Sequence, residues 1–259
     1  MARQKLGQHF LRNPAILERI AAAVCPRPEP TVVEIGPGRG ALTAKLLEKS
    51  SRVVAIELDP DLAGHLRQKF AHEPRLEIVE ADALSADLGQ WGSVPIAGNL
   101  PYYVATPIIE KTIRLYPPRA VFLIQKEVAE RLVAQPGERA YGFLTVATGL
   151  FASARLLFEV KPGAFQPPPA VDSAVVLLEP RLAVPHADGV LELMSHAFRH
   201  KRKTLRNNLA PVYGPAVETW PEAGLRAEQI PLAGFLEMHA RLGLATGSRR
   251  WAETPETGR

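Results

Sequence analysis

The stretch T31-V-V-E-I-G-P-G-R-G-A-L-T43 decides the fold. Residues 31–35 are a β-branched run, glycines follow at 36, 38 and 40, and Leu42, Leu46 and Leu47 then recur at helical spacing. That order predicts a strand, a glycine loop and a helix. Gly36, Gly38 and Gly40 let backbone approach a ligand closely and present main-chain donors at a helix N-terminus, an arrangement that serves many nucleotides. The same rhythm extends on both sides. Upstream, Asn13-Pro14 supplies an N-cap and a proline at the first helical position for a helix to about residue 24. Downstream, residues 52–57 read as a second strand ending at Glu57, Asp59-Pro60 opens a helix to about 70, and 76–79 form a third strand shortly before Asp82. Strands alternating with helices predict an α/β fold with a doubly wound parallel sheet.

Residues 94–97 read as a fourth strand that runs into G98-N-L-P-Y-Y-V104, and a helix is expected over 107–115. A fifth strand (120–125) leads into a charged helix (126–133). Beyond it the pattern changes, because 153–160 and 173–179 both read as strands joined only by a proline-rich loop at 161–169. An antiparallel pair closing one sheet edge is the expectation. After a linker that begins near residue 181, positions 190–242 carry helical patterns alone, so residues 1–180 are expected to form the catalytic domain and 181–259 a small helical domain with a polar tail from 246. The chain is 46% hydrophobic and 22% charged, has no apolar run of about 18 residues, and begins without the apolar centre of a signal peptide. A cytoplasmic protein without membrane association, and monomeric, is expected. The single cysteine, Cys25, excludes an internal disulfide or a cysteine-based metal cluster, and His65, His72, His186 and His239 lack ligand spacing, so no metal is expected. A net charge of +4 mildly favours a polyanionic partner.

The glycine loop alone leaves two cofactors open. GPGRGA fits a dinucleotide pattern, and a carboxylate about twenty residues on, Glu57, would accept from ribose hydroxyls in either case. Glu34, just ahead of the loop, suits a cationic amino-acid portion and is awkward beside a pyrophosphate. Asp82 is placed to accept from an adenine amine. Both point to S-adenosyl-L-methionine, although each acid could equally be a cap or a solvated loop carboxylate. At a strand's C-terminal end, the Asn99 side-chain carbonyl and the Leu100 or Pro101 carbonyl can accept from the amine of a flat ring on which Tyr102 stacks, while Tyr103 reads as core. The plainer reading is a strand-to-turn transition. Arg199, Lys201, Arg202, Lys203 and Arg206 crowd one short stretch, read as helical, without an acid. Together with Arg3, Lys5 and Arg12 they suggest a track for RNA phosphates, the alternative being a solvated helical face.

GQHFL at 7–11, VEIGPGRGALT at 33–43, GNLPYYV at 98–104, VKPGAFQPPPAVDSAVV at 160–176 and RHKRKTLRNNL at 199–209 together resemble the small-subunit ribosomal RNA adenine dimethyltransferases, in order and over nearly the whole chain. The proline-rich block and the basic stretch are the most discriminating of these. Macrolide-resistance methyltransferases of large-subunit RNA share the cofactor loop and a similar catalytic stretch. The resemblance implies a Rossmann-like class I methyltransferase fold and dimethylation of two adjacent adenines near the 3′ end of 16S rRNA in a small-subunit precursor, with a role in ribosome biogenesis. It implies that His9, Leu11, Gly36, Glu57, Asp82 and Asn99 contact or shape the cofactor site, and that Phe165 is a second aromatic wall beside the base held by residues 99–102. Phe165 could instead anchor the proline-rich loop. His9 stands where many members have asparagine, and Arg39 occupies a loop position often apolar in the family. A large-subunit RNA or DNA adenine methyltransferase, a nicotinamide dehydrogenase and a non-catalytic assembly factor remain as alternatives, the dehydrogenase without a visible proton donor.

Overall fold

A computed structural model describes residues 9–245. In chain order the elements are β1 (Phe10–Leu11), α1 (Pro14–Val24), β2 (Val32–Ile35), α2 (Ala41–Leu47), β3 (Val53–Glu57), α3 (Pro60–Lys69), β4 (Leu76–Glu80), β5 (Ile96–Asn99), α4 (Ala105–Ile113), β6 (Ala120–Gln125), α5 (Lys126–Val133) and α6 (Phe143–Phe151). They continue with β7 (Ala152–Val160), β8 (Phe165–Gln166), β9 (Ser173–Pro180), α7 (Ala187–Ala197), α8 (Leu205–Tyr213) and α9 (Leu232–Ala245). Seven strands form one sheet in the order β4-β3-β2-β5-β6-β9-β7. The first five are parallel, β9 runs antiparallel to β6, and β7 antiparallel to β9. The doubly wound sheet and its antiparallel edge are thus as the sequence pattern implies. Every residue of β2 and β3 is buried, as expected of parallel strands covered on both faces. Edge strand β7 is half-exposed and bulges between Leu156 and Phe158.

Asn13 caps α1 by accepting from the Ala15 and Ile16 N–H groups at 3.0 and 3.2 Å. This orients Leu17, Ile20, Ala21 and Val24 into one core cluster with Leu42 and Leu46 of α2 and with Val121, Leu123, Val175 and Leu177 of the sheet. At the far end of α1, the Arg119 guanidinium donates to the Ala23 carbonyl at 2.9 Å, as a cation near a helix C-terminus should. One pairing has no periodic signature in sequence: β1 lies antiparallel to β8, Phe10 opposite Gln166 and Leu11 opposite Phe165. The Arg12 N–H extends it by donating to the Ala164 carbonyl at 2.9 Å, so the N-terminal segment is tied to the proline-rich loop.

The described residues divide into two compact units, 9–133 with 151–182, and 134–150 with 183–245. A single boundary near residue 180 therefore omits an excursion, because most of α6 groups with the later helices. Its sequence, FLTVATGLF, is apolar all round and shows no helical face to read. In this helical unit the Tyr141 hydroxyl donates to the Ile230 carbonyl at 2.6 Å, and the Phe198 ring meets those of Tyr141, Phe143 and Phe235.

Candidate active site

The chain runs outward from β2 through β3 to β4 and then returns to lay β5 on the other side of β2, so the C-terminal ends of β2 and β5 part at a topological switch point. Ligands of open α/β sheets bind in that crevice. Gly98 permits the close pairing there: a Cβ on it would lie 2.6 Å from the Ile35 carbonyl oxygen. β2 gives way to the glycine loop, in which Gly36, Gly38 and Gly40 all have positive φ. Gly40 caps α2, and a Cβ there would stand 2.6 Å from the Phe70 ring and 2.8 Å from Leu66. Its role is thus close packing against α3 and its exit, and it does not line the cavity.

Two buried carboxylates stand beneath the loop. Glu57, at the end of β3, accepts the Gly38 N–H on Oε2 and the Asp59 N–H on Oε1, each at 3.0 Å, and so fixes the loop. Burial raises its pKa, and those two N–H groups oppose the shift. Glu34, on β2, accepts the Thr43 hydroxyl of α2 at 2.6 Å. Burial pushes the Glu34 carboxyl up to about 7, against the Thr43 bond and with a contribution from the neighbouring Glu57. Across the loop, Lys69 donates to the carbonyls of Arg39 and Gly40 at 2.8 and 3.3 Å, and burial lowers its pKa.

A cavity of about 410 Å³ opens over these groups. It is lined by His9, Leu11, Glu34, Gly36, Gly38, Glu57, Asn99, Leu100, Pro101 and Tyr102 among the residues singled out from sequence. Phe10, Arg39, Leu62, His65 and Lys69 also line it. Leu62, His65 and Lys69 share one face of α3 at i, i+3 and i+7, a spacing that the Asp59-Pro60 helix start could have exposed. The Arg39 guanidinium stands 4.8 Å from the centre of the Phe10 ring, which gives that basic loop residue a cation–π partner.

On the β5 side, Asn99 donates its Nδ2–H to the His9 carbonyl at 3.0 Å. Its Oδ1 is thereby turned away from that carbonyl and left as an acceptor. The Leu100 N–H donates to the Leu123 carbonyl of β6 at 3.1 Å, and the Pro101 carbonyl accepts the Val104 N–H at 3.1 Å. Tyr102 shares a 2.7 Å hydrogen bond with the buried Ser173 hydroxyl at the start of β9, and burial raises the phenol pKa. One expectation needs correction, and two candidate residues lie outside the cavity lining. Tyr103 is 58% exposed and therefore not core, because the turn after Pro101 directs successive side chains to different sides. Phe165 is not among the lining residues: it is 6% exposed and belongs to the core cluster with Leu11 and Leu17, opposite Leu11 in the β1–β8 pairing. That pairing joins the proline-rich loop to β1. Asp82 also stands outside the cavity lining, exposed, with Oδ1 accepting the Leu84 N–H at 2.9 Å as a turn cap.

In the helical unit, α7 ends at Ala197 and α8 begins at Leu205, so Arg199, Lys201, Arg202 and Lys203 occupy a connector and only Arg206 is helical. The single helical stretch expected from sequence is thus two helix ends and a turn. Buried Asn208 shapes it, donating Nδ2–H to the carbonyls of Ala197 and His200 at 2.7 and 3.2 Å. All five cations are exposed, and none has an ion pair among the described residues. Arg3 and Lys5 lie outside the described residues, as does the tail from 246. Among the described residues no group of histidines, cysteines and acids is arranged to hold a metal ion, and no helix is long and apolar enough to cross a membrane.

Among solved structures, a dimethyladenosine transferase from Plasmodium falciparum is 28% identical with a TM-score of 0.78, matching 91% of this chain and 98% of its own. The 23S rRNA methyltransferase ErmE is 27% identical with a TM-score of 0.73, matching 90% of this chain and 99% of its own. The fold is accordingly that of Rossmann-like methyltransferases. In sequence, ribosomal RNA small subunit methyltransferase A of Marinobacter nauticus is 42% identical over 92% of this chain and 90% of the relative. The protein of the same name from Thermosynechococcus vestitus is 39% identical over 92% and 95%. A family model described as ribosomal RNA adenine dimethylase matches residues 1–239, and the chain belongs to that family.

Proposed function

We propose that the protein transfers methyl groups from S-adenosyl-L-methionine to the exocyclic amines of two adjacent adenines in the 3′-terminal hairpin loop of 16S rRNA, acting on a small-subunit precursor as a cytoplasmic monomer that also serves subunit biogenesis. The observation that carries this reading is the Asn99 amide, which lines the cavity together with Tyr102 and gives an Nδ2–H to the His9 carbonyl, so that Oδ1 points away from that carbonyl and stays an acceptor. An amine-bearing ring is what such a pair recognises. Adenine's amine is a poor nucleophile because its lone pair is delocalised into the ring. Accepting one N–H on Asn99 Oδ1 and the other on a backbone carbonyl would turn that lone pair toward the methyl donor. The Pro101 carbonyl already accepts the Val104 N–H, which favours the Leu100 carbonyl as second acceptor. A strong base is unnecessary, since the proton is lost once the nitrogen has become cationic, and alignment with partial negative charge supplies the acceleration.

The donor set suits the cofactor. Glu34 is a buried carboxylate facing the cavity, suited to a cationic amino-acid portion, and a pyrophosphate would be repelled there. Glu57 spends one lone pair of each oxygen on backbone N–H groups and keeps others for ribose hydroxyls. When bound, S-adenosyl-L-methionine would supply an electrophilic methyl group. Asp82 would join this set only through a group outside the observed lining. In the helical unit the exposed basic connector would hold RNA phosphates and leave base choice to the pocket. The likeness to ErmE favours large-subunit RNA as the second reading, since the catalytic stretch would serve either. Mapping modified nucleotides after incubation with unmethylated small-subunit and large-subunit particles tests both. Dimethyladenines at two adjacent 16S positions are expected, and methylation confined to large-subunit RNA would overturn the proposal.

A further inference from the structure

The expectation that His9 serves the cofactor leaves three of its contacts unexplained. Its ring Nδ1 lies 2.9 Å from the Pro167 carbonyl, its own carbonyl accepts the Asn99 Nδ2–H at 3.0 Å, and its ring centroid is 5.8 Å from that of Tyr102 at an interplanar angle of 31°. A carbonyl can only accept, so His9 Nδ1 carries the proton in that bond. His9 immediately precedes β1, whose pairing with β8 fixes Phe10 and Leu11. At residue 9 itself, the ring bond to Pro167 is the tie to the proline-rich loop.

We infer that His9 is a positioning residue: it braces its own backbone against the proline-rich loop so that its carbonyl dictates which end of the Asn99 amide faces the cavity. Were that amide to flip, Oδ1 would stand against the His9 carbonyl, two acceptors without a proton, and an N–H would face an amine that needs an acceptor. If the His9 carbonyl drifts, the two orientations become comparable and part of the protein holds the wrong one. The same brace ties the loop to the His9 ring, which neighbours Tyr102, and the Tyr102 hydroxyl is in turn tied to Ser173 beyond the end of that loop. Asparagine could fill the same role. Asparagine Nδ2 is the same number of bonds from the backbone as histidine Nδ1 and also donates, so either residue can make the brace. Aspartate places an oxygen there and leucine places no polar atom.

The inference rests on the adenine-amine reading for its kinetic part alone. Full-length parent, His9→Leu, His9→Asp and His9→Asn are compared in single-turnover methyl transfer at saturating S-adenosyl-L-methionine and precursor particle, with cofactor affinity measured separately by calorimetry. Leucine and aspartate should each slow transfer by about tenfold or more, the scale of a misaligned reacting group. Asparagine should recover most of that loss. If the leucine variant loses cofactor affinity but keeps the parent rate at saturation, His9 is a cofactor contact and the inference fails. It fails equally if leucine and aspartate leave the rate intact, or if asparagine is as slow as leucine. Side-chain amide NMR of Asn99 in the free protein gives a readout without turnover: its Nδ2–H signals should shift and exchange faster in the leucine and aspartate variants and return toward parent in the asparagine variant. Unmoved signals in all variants would overturn the brace. Parent protein that methylates no adenine would instead overturn the proposed function.

Discussion

The crevice between β2 and β5 and the connector between α7 and α8 both concentrate polar groups, yet they are built on opposite principles. In the crevice, Glu34 and Glu57 are 1% and 6% exposed and each is held by named donors at 3.0 Å or less. In the connector the five cations are exposed and only the backbone beneath them is pinned, by Asn208. A buried, preorganised group acts at low effective dielectric, so one atom matters greatly. An exposed cation acts through water and salt, so number and placement matter more than any one residue. Per-residue effects should therefore be large in the crevice and small in the connector.

Asn99→Ala should give the largest effect. It removes the one side-chain acceptor aimed at the proposed amine, and losing a preorganised transition-state contact typically costs about 10²–10³ in rate. Single-turnover transfer should fall by that order while calorimetry finds cofactor affinity roughly preserved. Parent-level turnover would remove Asn99 from the mechanism and blunt the contrast at its strongest point.

Glu34 offers a pH test of burial. Its folded pKa of about 7 stands above the ordinary carboxyl value of 4.5, so the fold favours the protonated form. Its stabilising contribution is complete below about pH 4.5 and is lost as pH rises through about 7, amounting to about 3 kcal/mol above that point. Without cofactor, Glu34→Gln should match the parent near pH 4 and become the more stable protein by that order at pH 8, because glutamine can still accept the Thr43 hydroxyl. The same variant should bind S-adenosyl-L-methionine more weakly. Denaturant unfolding at the two pH values decides it, and parallel curves for parent and variant would mean that Glu34 is not held in a low-dielectric site.

The crevice was also the more legible region. Its strands are short runs, β-branched in β2 and β3, and its loop is punctuated by glycines, signals tied directly to backbone geometry. Glu34, Glu57, Asn99 and Tyr102 follow from position within those elements. What escaped depends on contacts distant in sequence. β1 and β8 are two residues each, too short to show a period, and their pairing sends Phe165 into the core. Asp82, placed by the strand it follows, also caps a local turn through Oδ1 at the Leu84 N–H. Tyr103 alternates with Tyr102 in sequence and only the turn geometry exposes it. The connector misled differently: a run of cations continues smoothly across two helix ends, and the break is set by Asn208, whose buried amide has no signature in the run itself.

Glu57→Ala should come next in size. It removes the acceptor of the Gly38 and Asp59 N–H groups together with the proposed ribose contact, and charge-assisted bonds of this kind are worth about 1.5–3 kcal/mol. A cofactor dissociation constant weakened by roughly ten- to a hundredfold is expected. An unchanged constant would place the cofactor elsewhere, and the crevice would lose its claim to act through single buried groups.

The smallest effect is expected at the connector, from reversing charge at both Arg202 and Lys203. Each exposed cation engages at most about one phosphate, releasing on the order of one counterion, so the pair should change the slope of log affinity against log salt by roughly 2. Near 0.15 M salt the loss on a small-subunit precursor should be about tenfold, on the scale of two screened charges. Transfer at saturating substrate should stay near the parent rate, since neither side chain lines the cavity. An isolated hairpin, with fewer phosphates and less shape to engage, should lose less than the folded particle. Filter binding across a salt series on both RNAs, paired with saturating single-turnover rates, separates these terms. Equal slopes for parent and variant on the precursor would leave the connector a solvated turn. A collapse of the saturating rate would mean that this region shapes the reaction itself, and the division between buried and exposed groups would have to be redrawn.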